Sequence, residues 1–117
     1  TIISIEALDL QLARILPVID KLQGAVIITA DHGNADEMYE IDKKTKSPKI
    51  GAQGNPKAKT SHTLNPVPCI FYDNFNNDKY NVKTNDAYGL SNIAATTVNL
   101  LGYEAPDMWD KSIIESK

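Results

Sequence analysis

Apolar residues near the start of the chain recur every three or four positions, as they do along one side of an α-helix. Polar residues such as Asp9 and Arg14 fill the other side. The apolar set consists of Ile5, Leu8, Leu12, Ile15, Ile19 and Leu22. This pattern predicts an amphipathic helix that Gly24 ends. Pro17 predicts a kink or a break within it, because an interior proline removes a backbone hydrogen bond and clashes with the preceding turn.

Two short apolar runs farther along the chain predict β-strands. Residues 25–29 are β-branched and lack polar alternation, which is typical of a strand covered on both faces in a parallel sheet. Residues 67–72 form the second run, with Pro66 and Pro68 where a missing N–H donor does least harm. Cys69 lies inside this run and is expected to pack in the core. A helix followed by such strands indicates the α/β class.

The remaining segments predict one more helix and two loops. Residues 40–61 are rich in lysine, glycine and proline and predict a long loop, a kind of connection that is often functional. Residues 74–86 predict a solvated connection. Residues 91–101 predict a helix that Gly102 ends, and Trp109 is expected to hold the tail against the body. The apolar face of this helix comprises Leu90, Ile93, Ala94, Thr97 and Leu101.

Composition narrows the class of protein. The formal charge of −3 and the absence of an evident basic face argue against nucleic-acid binding, which needs cations to displace counterions from phosphates. Apolar runs are far shorter than the roughly 20 residues that cross a bilayer, so no membrane association is expected. A single cysteine fits a reducing, cytoplasmic setting. Because the sequence begins at Thr1 in a helical pattern without Met, we expect a piece of a longer polypeptide.

The segment richest in candidate metal-binding side chains follows the first predicted strand. Asp31 and His32 come where that strand ends, and ligand sites of open parallel sheets lie beyond the carboxyl ends of strands. Gly33 would let the backbone pass closely. Carboxylate oxygen together with imidazole nitrogen suits zinc, manganese and similar divalent ions. His62, the other histidine, lies at the junction between the long loop and the second strand.

Simpler interpretations of these residues remain open from the pattern alone. An Asp-His pair at a strand end can cap a turn, and His62 alone fits a surface histidine. Asp36 and Glu37 are interpreted either as acceptors that hold a ligand imidazole or as helix-dipole partners. The loop lysines can attract a phosphorylated substrate or simply be solvated. Ser61 is expected to be a turn residue.

Two segments resemble the cofactor-independent (2,3-bisphosphoglycerate-independent) phosphoglycerate mutases of the alkaline phosphatase superfamily. They are IITADHGNADEM at residues 27–38 and TSHTLNPVP at residues 60–68, and they occur in the family's order. The segments GLSNIA and LLG are similar to the family's C-terminal helix. The resemblance spans nearly the whole chain. It implies a C-terminal portion of the metal-binding phosphatase-like domain over residues 1–117, an incomplete open sheet flanked by helices, without the separate substrate domain.

The resemblance also implies a function. Members interconvert 3-phosphoglycerate and 2-phosphoglycerate in glycolysis through a phosphoserine intermediate, with two manganese ions. By this resemblance Asp31 and His32 would bind the metal that holds the nucleophilic serine, and His62 would bind the other metal. The family's serine nucleophile and its other metal ligands match nothing here, so the catalytic serine is expected in the remainder of the polypeptide. The isolated chain is therefore expected to be inactive.

Two alternatives to a mutase fragment stay open. One is a fragment of a related enzyme such as phosphopentomutase, although Asn34-Ala35 and the context of residues 65–68 argue against it. The other is a non-catalytic module that binds a metal for structure.

Overall fold

Helix α1 spans Ile2–Lys21 without interruption, in a computed structural model that describes residues 1–84 and 87–117. The break considered at Pro17 is absent. The helix ends at Lys21, and the left-handed residue after it is Gln23, with φ of 52°, one position before the predicted Gly24. The N–H groups of Gln23 and Gly24 then donate to the carbonyls of Asp20 and Ile19, at 3.0 and 2.9 Å. This pair of bonds satisfies the last turn of the helix.

Strands β1, at Val26–Thr29, and β2, at Cys69–Tyr72, form a two-stranded sheet. Both strands were predicted, but the predicted parallel environment is wrong within the described residues, because β1 pairs with β2 antiparallel from Val26–Tyr72 to Thr29–Cys69. A continuous apolar run indicates burial but does not fix the direction of a partner. Residues 1–84 and 87–117 also do not bury β1 on both faces: β1 is half-buried, and Cys69 of the neighbouring strand is exposed.

The end of α1 is tied to this sheet by polar contacts. The Tyr72 hydroxyl donates to Asp20 at 2.8 Å, and the Asn74 amide donates to the same carboxylate at 2.9 Å. The hydrogen bond to Asp20 raises the pKa of Tyr72, since it favours the protonated phenol. These contacts hold the start of β1 close to the end of α1. They therefore also set the position of the residues that follow Thr29.

A second antiparallel pair joins β3, at Tyr80–Val82, to β4, at Ile114–Ser116. Strand β3 lies within the segment predicted to be a solvated connection, whose last two residues fall outside the described ones. The sequence pattern did not indicate this strand, because the segment is largely polar and the strand's partner, in the tail, lies more than 30 residues farther along the chain. Asp73 orders the segment that leads into β3. It accepts hydrogen bonds from the N–H groups of Phe75 and Asn76 and from the Tyr80 hydroxyl, at 2.9, 2.9 and 3.1 Å.

Helix α2 spans Asn92–Leu100, and Gly102 follows it with φ of 83°, as predicted. The face it buries is not the predicted apolar one, since its buried residues are Asn92, Ala95 and Thr96. Thr96 is fully buried and its hydroxyl oxygen accepts the Ile113 N–H at 2.9 Å. Asn92 donates to the Lys111 carbonyl at 2.7 Å. The tail is thus held by these two polar side chains, while Trp109, which was expected to hold it, is 43% exposed.

Little apolar surface is buried among the described residues. The buried hydrophobic residues there are Ala95, Ile113 and Ile114, while much of the apolar side of α1 faces outward. The radius of gyration is 18.7 Å, against about 13 Å for a compact domain of this length. Apolar surface on this scale marks contact with further protein. The α/β class is confirmed, and the sheet is incomplete, as expected.

We expect Asp73→Asn to destabilise the chain by about 1–2 kcal/mol at pH 7, since a charged acceptor is lost. Burial alone raises the pKa of Asp73, but the two backbone N–H donors and Tyr80 together hold it below its ordinary 3.8. The ionised carboxylate therefore stabilises the fold above that value, and its contribution is lost as the pH falls through the folded-state pKa. Urea unfolding from pH 7 down to pH 3 should show the two proteins converging. A difference that grows on acidification contradicts this role.

Candidate metal centre

The two motif segments leave the β1–β2 sheet as a pair of arms and meet again. The first arm continues from Thr29, and the second runs into Cys69. They rejoin at Gly33 and Thr63, where the Thr63 N–H donates to the Gly33 carbonyl at 2.8 Å. Three residues separate Thr29 from Gly33 and five separate Thr63 from Cys69, so the arms are unequal and enclose an opening. His32 and His62 each directly precede a residue of the closing pair.

The closing pair requires glycine at position 33. A Cβ atom there would lie 2.1 Å from the Thr63 hydroxyl oxygen and 2.8 Å from a carboxylate oxygen of Asp36. These distances are far below van der Waals contact, so any other residue forces the arms apart. The sequence-based prediction that Gly33 allows a close backbone approach is confirmed.

The two histidines lie face to face. The ring centroids of His32 and His62 are 3.5 Å apart and their planes differ by 12°. They come from segments 30 residues apart in the chain, and the closing pair brings them into contact. The structure thus places both predicted histidine ligands at one spot, although their role as ligands stays a prediction.

Asp31 lies beside the same pair. Its Oδ1 atom is 3.7 Å from His32 Nε2, and its side chain is 90% exposed. The Nδ1 atom of His32 is 3.1 Å from the Gly33 carbonyl oxygen, which can only accept a hydrogen bond. A proton on Nδ1 leaves the Nε2 lone pair directed away from the backbone, as metal-binding imidazoles require. Asp31 and His32 therefore present one oxygen and one nitrogen donor on the same side.

This donor set fits part of a divalent metal site. Two donor atoms, each about 2.1 Å from a common cation, can lie 3.7 Å apart. Among the described residues, however, no three side chains of His, Cys, Asp or Glu converge to hold an ion by themselves. A complete coordination shell built on these residues needs donors from elsewhere.

Asp36 and Glu37 join the two arms, a role that sequence reasoning missed. Asp36 accepts hydrogen bonds from the Thr63 hydroxyl, at 2.9 Å, and from the Asn65 amide. Glu37 accepts from Asn65 at 3.1 Å and pairs with Lys59. The Asn65 bond is the leading cause that holds the pKa of Asp36 below its usual value, and Lys59 does the same for the pKa of Glu37. The described contacts therefore differ from both earlier interpretations, imidazole acceptors and helix-dipole partners.

The loop at residues 40–61 folds back on itself. Isolated bridges pair Ile41 with Pro48 and Ile50 with Pro56. Glu40 pairs with Lys49 and Lys57 at 3.3 and 2.6 Å, which lowers the pKa of Glu40, chiefly through Lys57. Several lysines that were considered as phosphate attractors are thus engaged with glutamates.

A mostly apolar cavity of about 360 Å³ opens between the arms and the start of α2. Asp31 and His32 line one side of it, and Leu90 and Ile93 line the other. The exposed Cys69 also faces it, so the predicted core position of Cys69 is wrong for this chain.

An α/β arrangement that brings a carboxylate and two imidazoles together beyond the first strand is compatible with a metal-dependent class of protein. The chain belongs to the Metalloenzyme superfamily, whose family description matches residues 1–105.

Its relatives narrow this class. It is 42% identical over its whole length to a probable 2,3-bisphosphoglycerate-independent phosphoglycerate mutase of Leptospira interrogans. It is 43% identical, over 98% of its length, to the mutase of that type from Trypanosoma brucei. A solved phosphoglycerate mutase from Leishmania mexicana, crystallised at low cobalt concentration, superposes on 96% of the chain with a TM-score of 0.85 and 40% identity. The chain spans about a fifth of the length of these relatives. The resemblance seen in the sequence is confirmed.

One further finding concerns membranes. Neither helix within the described residues combines the length and the apolar character that a crossing requires.

We expect Gly33→Ala to separate the two arms, since the added methyl group has no space beside Thr63 and Asp36. The cost should be about 1–3 kcal/mol, as for other overpacked sites. Urea unfolding measures it, and Gly89→Ala serves as the matched control because a Cβ at Gly89 meets nothing within 4 Å. Equal stabilities of the two variants would contradict the close approach.

Proposed function

We propose that this chain is part of a phosphoglycerate mutase that interconverts 3-phosphoglycerate and 2-phosphoglycerate through a phosphoserine intermediate at a two-metal site. The observation that carries the proposal is the contact between His32 and His62, with Asp31 beside them. These residues lie in the two segments that resemble the mutases. Their side chains are the kinds that bind divalent ions in that chemistry.

In this proposal the three ligands serve two ions. Asp31 and His32 bind one ion, because their donor atoms lie on the same side, and His62 binds the other. We propose Mn²⁺ as the ion for both positions. Bound divalent ions would favour the alkoxide of the attacking serine and neutralise charge on the phosphoryl oxygens. The chain's own contribution is to hold the imidazoles side by side and to keep the His32 proton on Nδ1, through the Gly33 carbonyl.

The remaining parts of the proposed enzyme lie outside this chain. They are the serine nucleophile, the other metal ligands and the groups that bind phosphoglycerate. The outward apolar side of α1 is one surface where the remainder of the same polypeptide would pack. We propose a cytoplasmic enzyme that contacts neither nucleic acid nor membrane.

A chimera tests this function. The segment of the Trypanosoma brucei mutase that matches this chain is replaced by residues 1–117, and interconversion of the two phosphoglycerates is assayed. The chimera should be active, because 43% identity extends across the segment. Asp31→Asn, His32→Ala and His62→Ala should each lower kcat by at least about 100-fold, as a lost metal ligand or its support does.

Matched variants keep this test interpretable. Asp78→Asn removes an exposed carboxylate outside the site and should leave the rate unchanged. The 117-residue chain alone should be inactive. A folded chimera without activity would overturn the assignment, and activity with another phosphorylated sugar in its place would favour the phosphopentomutase alternative.

Metal binding is expected to depend on the same ligands. Calorimetric titration of the chimera with Mn²⁺ should give two ions per chain, and His32→Ala should remove or weaken one of them by at least about 10-fold. The isolated chain should bind more weakly than the chimera, because its ligands are divided between two incomplete sites. Equal heats from the parent and the His32→Ala variant would count against His32 as a ligand.

A further inference from the structure

A cluster of hydrogen bonds next to the histidine pair has no part in the function proposed above. The Asp36 carboxylate accepts the Thr63 hydroxyl with both of its oxygens, at 2.9 and 3.2 Å, and the Asn65 amide as well. Glu37 shares Asn65 and pairs with Lys59. All the donors lie within residues 59–65, on both sides of His62. All the acceptors follow His32 by a few residues.

We propose that Asp36 is a positioning residue that holds His62 against His32 and thereby sets the spacing of the two metal positions. The part of this proposal that concerns metals rests on the function proposed above. The part that concerns the two imidazoles stands on the contacts alone. Asp36 acts through Thr63 and Asn65 and contacts neither imidazole among the described interactions.

The hydrogen bonds from Asp36 attach directly next to His62. Thr63 is the residue directly after His62, and it is 7% exposed. Its backbone N–H is bound to Gly33 and its hydroxyl to Asp36, so its position is fixed from two directions. Hydrogen bonds to an ionised carboxylate are about twice as strong as neutral ones. The peptide group that carries His62 is therefore fixed relative to the peptide group that follows His32.

The two ends of the long loop are also joined by backbone contacts, and these are an alternative support for His62. Lys59 N–H donates to the Met38 carbonyl at 2.9 Å, and Tyr39 bridges to Ala58. These contacts lie three or more residues before His62, and Ser61 and His62 are exposed. A backbone ladder at that distance leaves several rotatable bonds before the imidazole. The hydrogen bonds from Asp36 attach to Thr63, the residue next to His62, so fewer rotatable bonds separate them from the imidazole.

Histidine NMR on the 117-residue chain tests the positioning without any metal. The chain contains two histidines, so selective isotope labelling gives one set of ring signals for each. Rings stacked at 3.5 Å give a nuclear Overhauser effect between them and ring-current shifts. Asp36→Ala and Thr63→Val should each reduce the ring-to-ring effect at least twofold. Thr63→Ser, which keeps the hydroxyl, should retain it.

A control acid comes from the same loop. Asp42 accepts the N–H groups of Lys44 and Thr45 at 2.8 and 2.9 Å, in a local turn that does not reach His62. Asp42→Asn should leave both histidine signals unchanged. Amide signals of the β3–β4 pair report whether each variant keeps its fold elsewhere. An unchanged ring contact in both Asp36→Ala and Thr63→Val overturns the proposal, as does loss of the β3–β4 signals in both.

Manganese titration of the chimera extends the test to the metals. Asp36→Ala should weaken one of the two ions, the one that His62 is proposed to bind, at least 10-fold, and Thr63→Ser should bind both ions as the parent does. Retention of both ions with parental affinity in Asp36→Ala overturns the link to metal spacing. If the parent chimera fails to bind two ions, the proposed function fails. The histidine contact then still decides whether Asp36 positions His62.

Discussion

The close contact between Gly33 and Thr63 is the constraint on which the candidate site depends. It closes two arms of unequal length that leave the β1–β2 pair, and it places His32 and His62 on adjoining turns of backbone. The contact is possible because position 33 lacks a Cβ, so a threonine hydroxyl and an aspartate oxygen occupy the space. The strand register, Gly33 and the Asp36 carboxylate therefore act together to fix the relative positions of the two histidines.

The contacts that fix the histidines are polar and local. By contrast, few apolar side chains of the described residues are buried. The described core is three residues, and helix α1 buries none of its own. Apolar burial is the main favourable term in folding, so the chain is expected to gain most of its stability from contacts beyond itself. The site geometry is set separately, by hydrogen bonds among residues 31–37 and 59–65. A segment of this kind can keep its ligands in order while the surrounding layers are supplied by other parts of the protein.

The sequence predicted elements better than it predicted their surroundings. Periodicity located α1, β1, β2 and α2, since an apolar repeat reflects the local conformation directly. It misjudged the partner of β1, the exposure of Cys69 and the buried face of α2, because these depend on contacts between segments far apart in the chain, which local periodicity does not report. The positions of the histidines next to the predicted strands made them candidate ligands, and the resemblance assigned each to a metal. Asp36 was named as a candidate acceptor, but its true partners, Thr63 and Asn65, were not foreseen.

Charge around the site follows from these contacts. Glu40 offsets one of the two charges of Lys49 and Lys57, and Glu37 offsets Lys59. With Asp31 and Asp36, these seven groups carry three positive and four negative charges, a net charge of −1. Lys43 and Lys46 line a surface pocket together with Lys59 and Ser61, the residue before His62. The exposed carboxylate of Asp31, 3.7 Å from His32, favours a cation beside the histidine pair, and the lysines next to Ser61 offset that charge on the loop side.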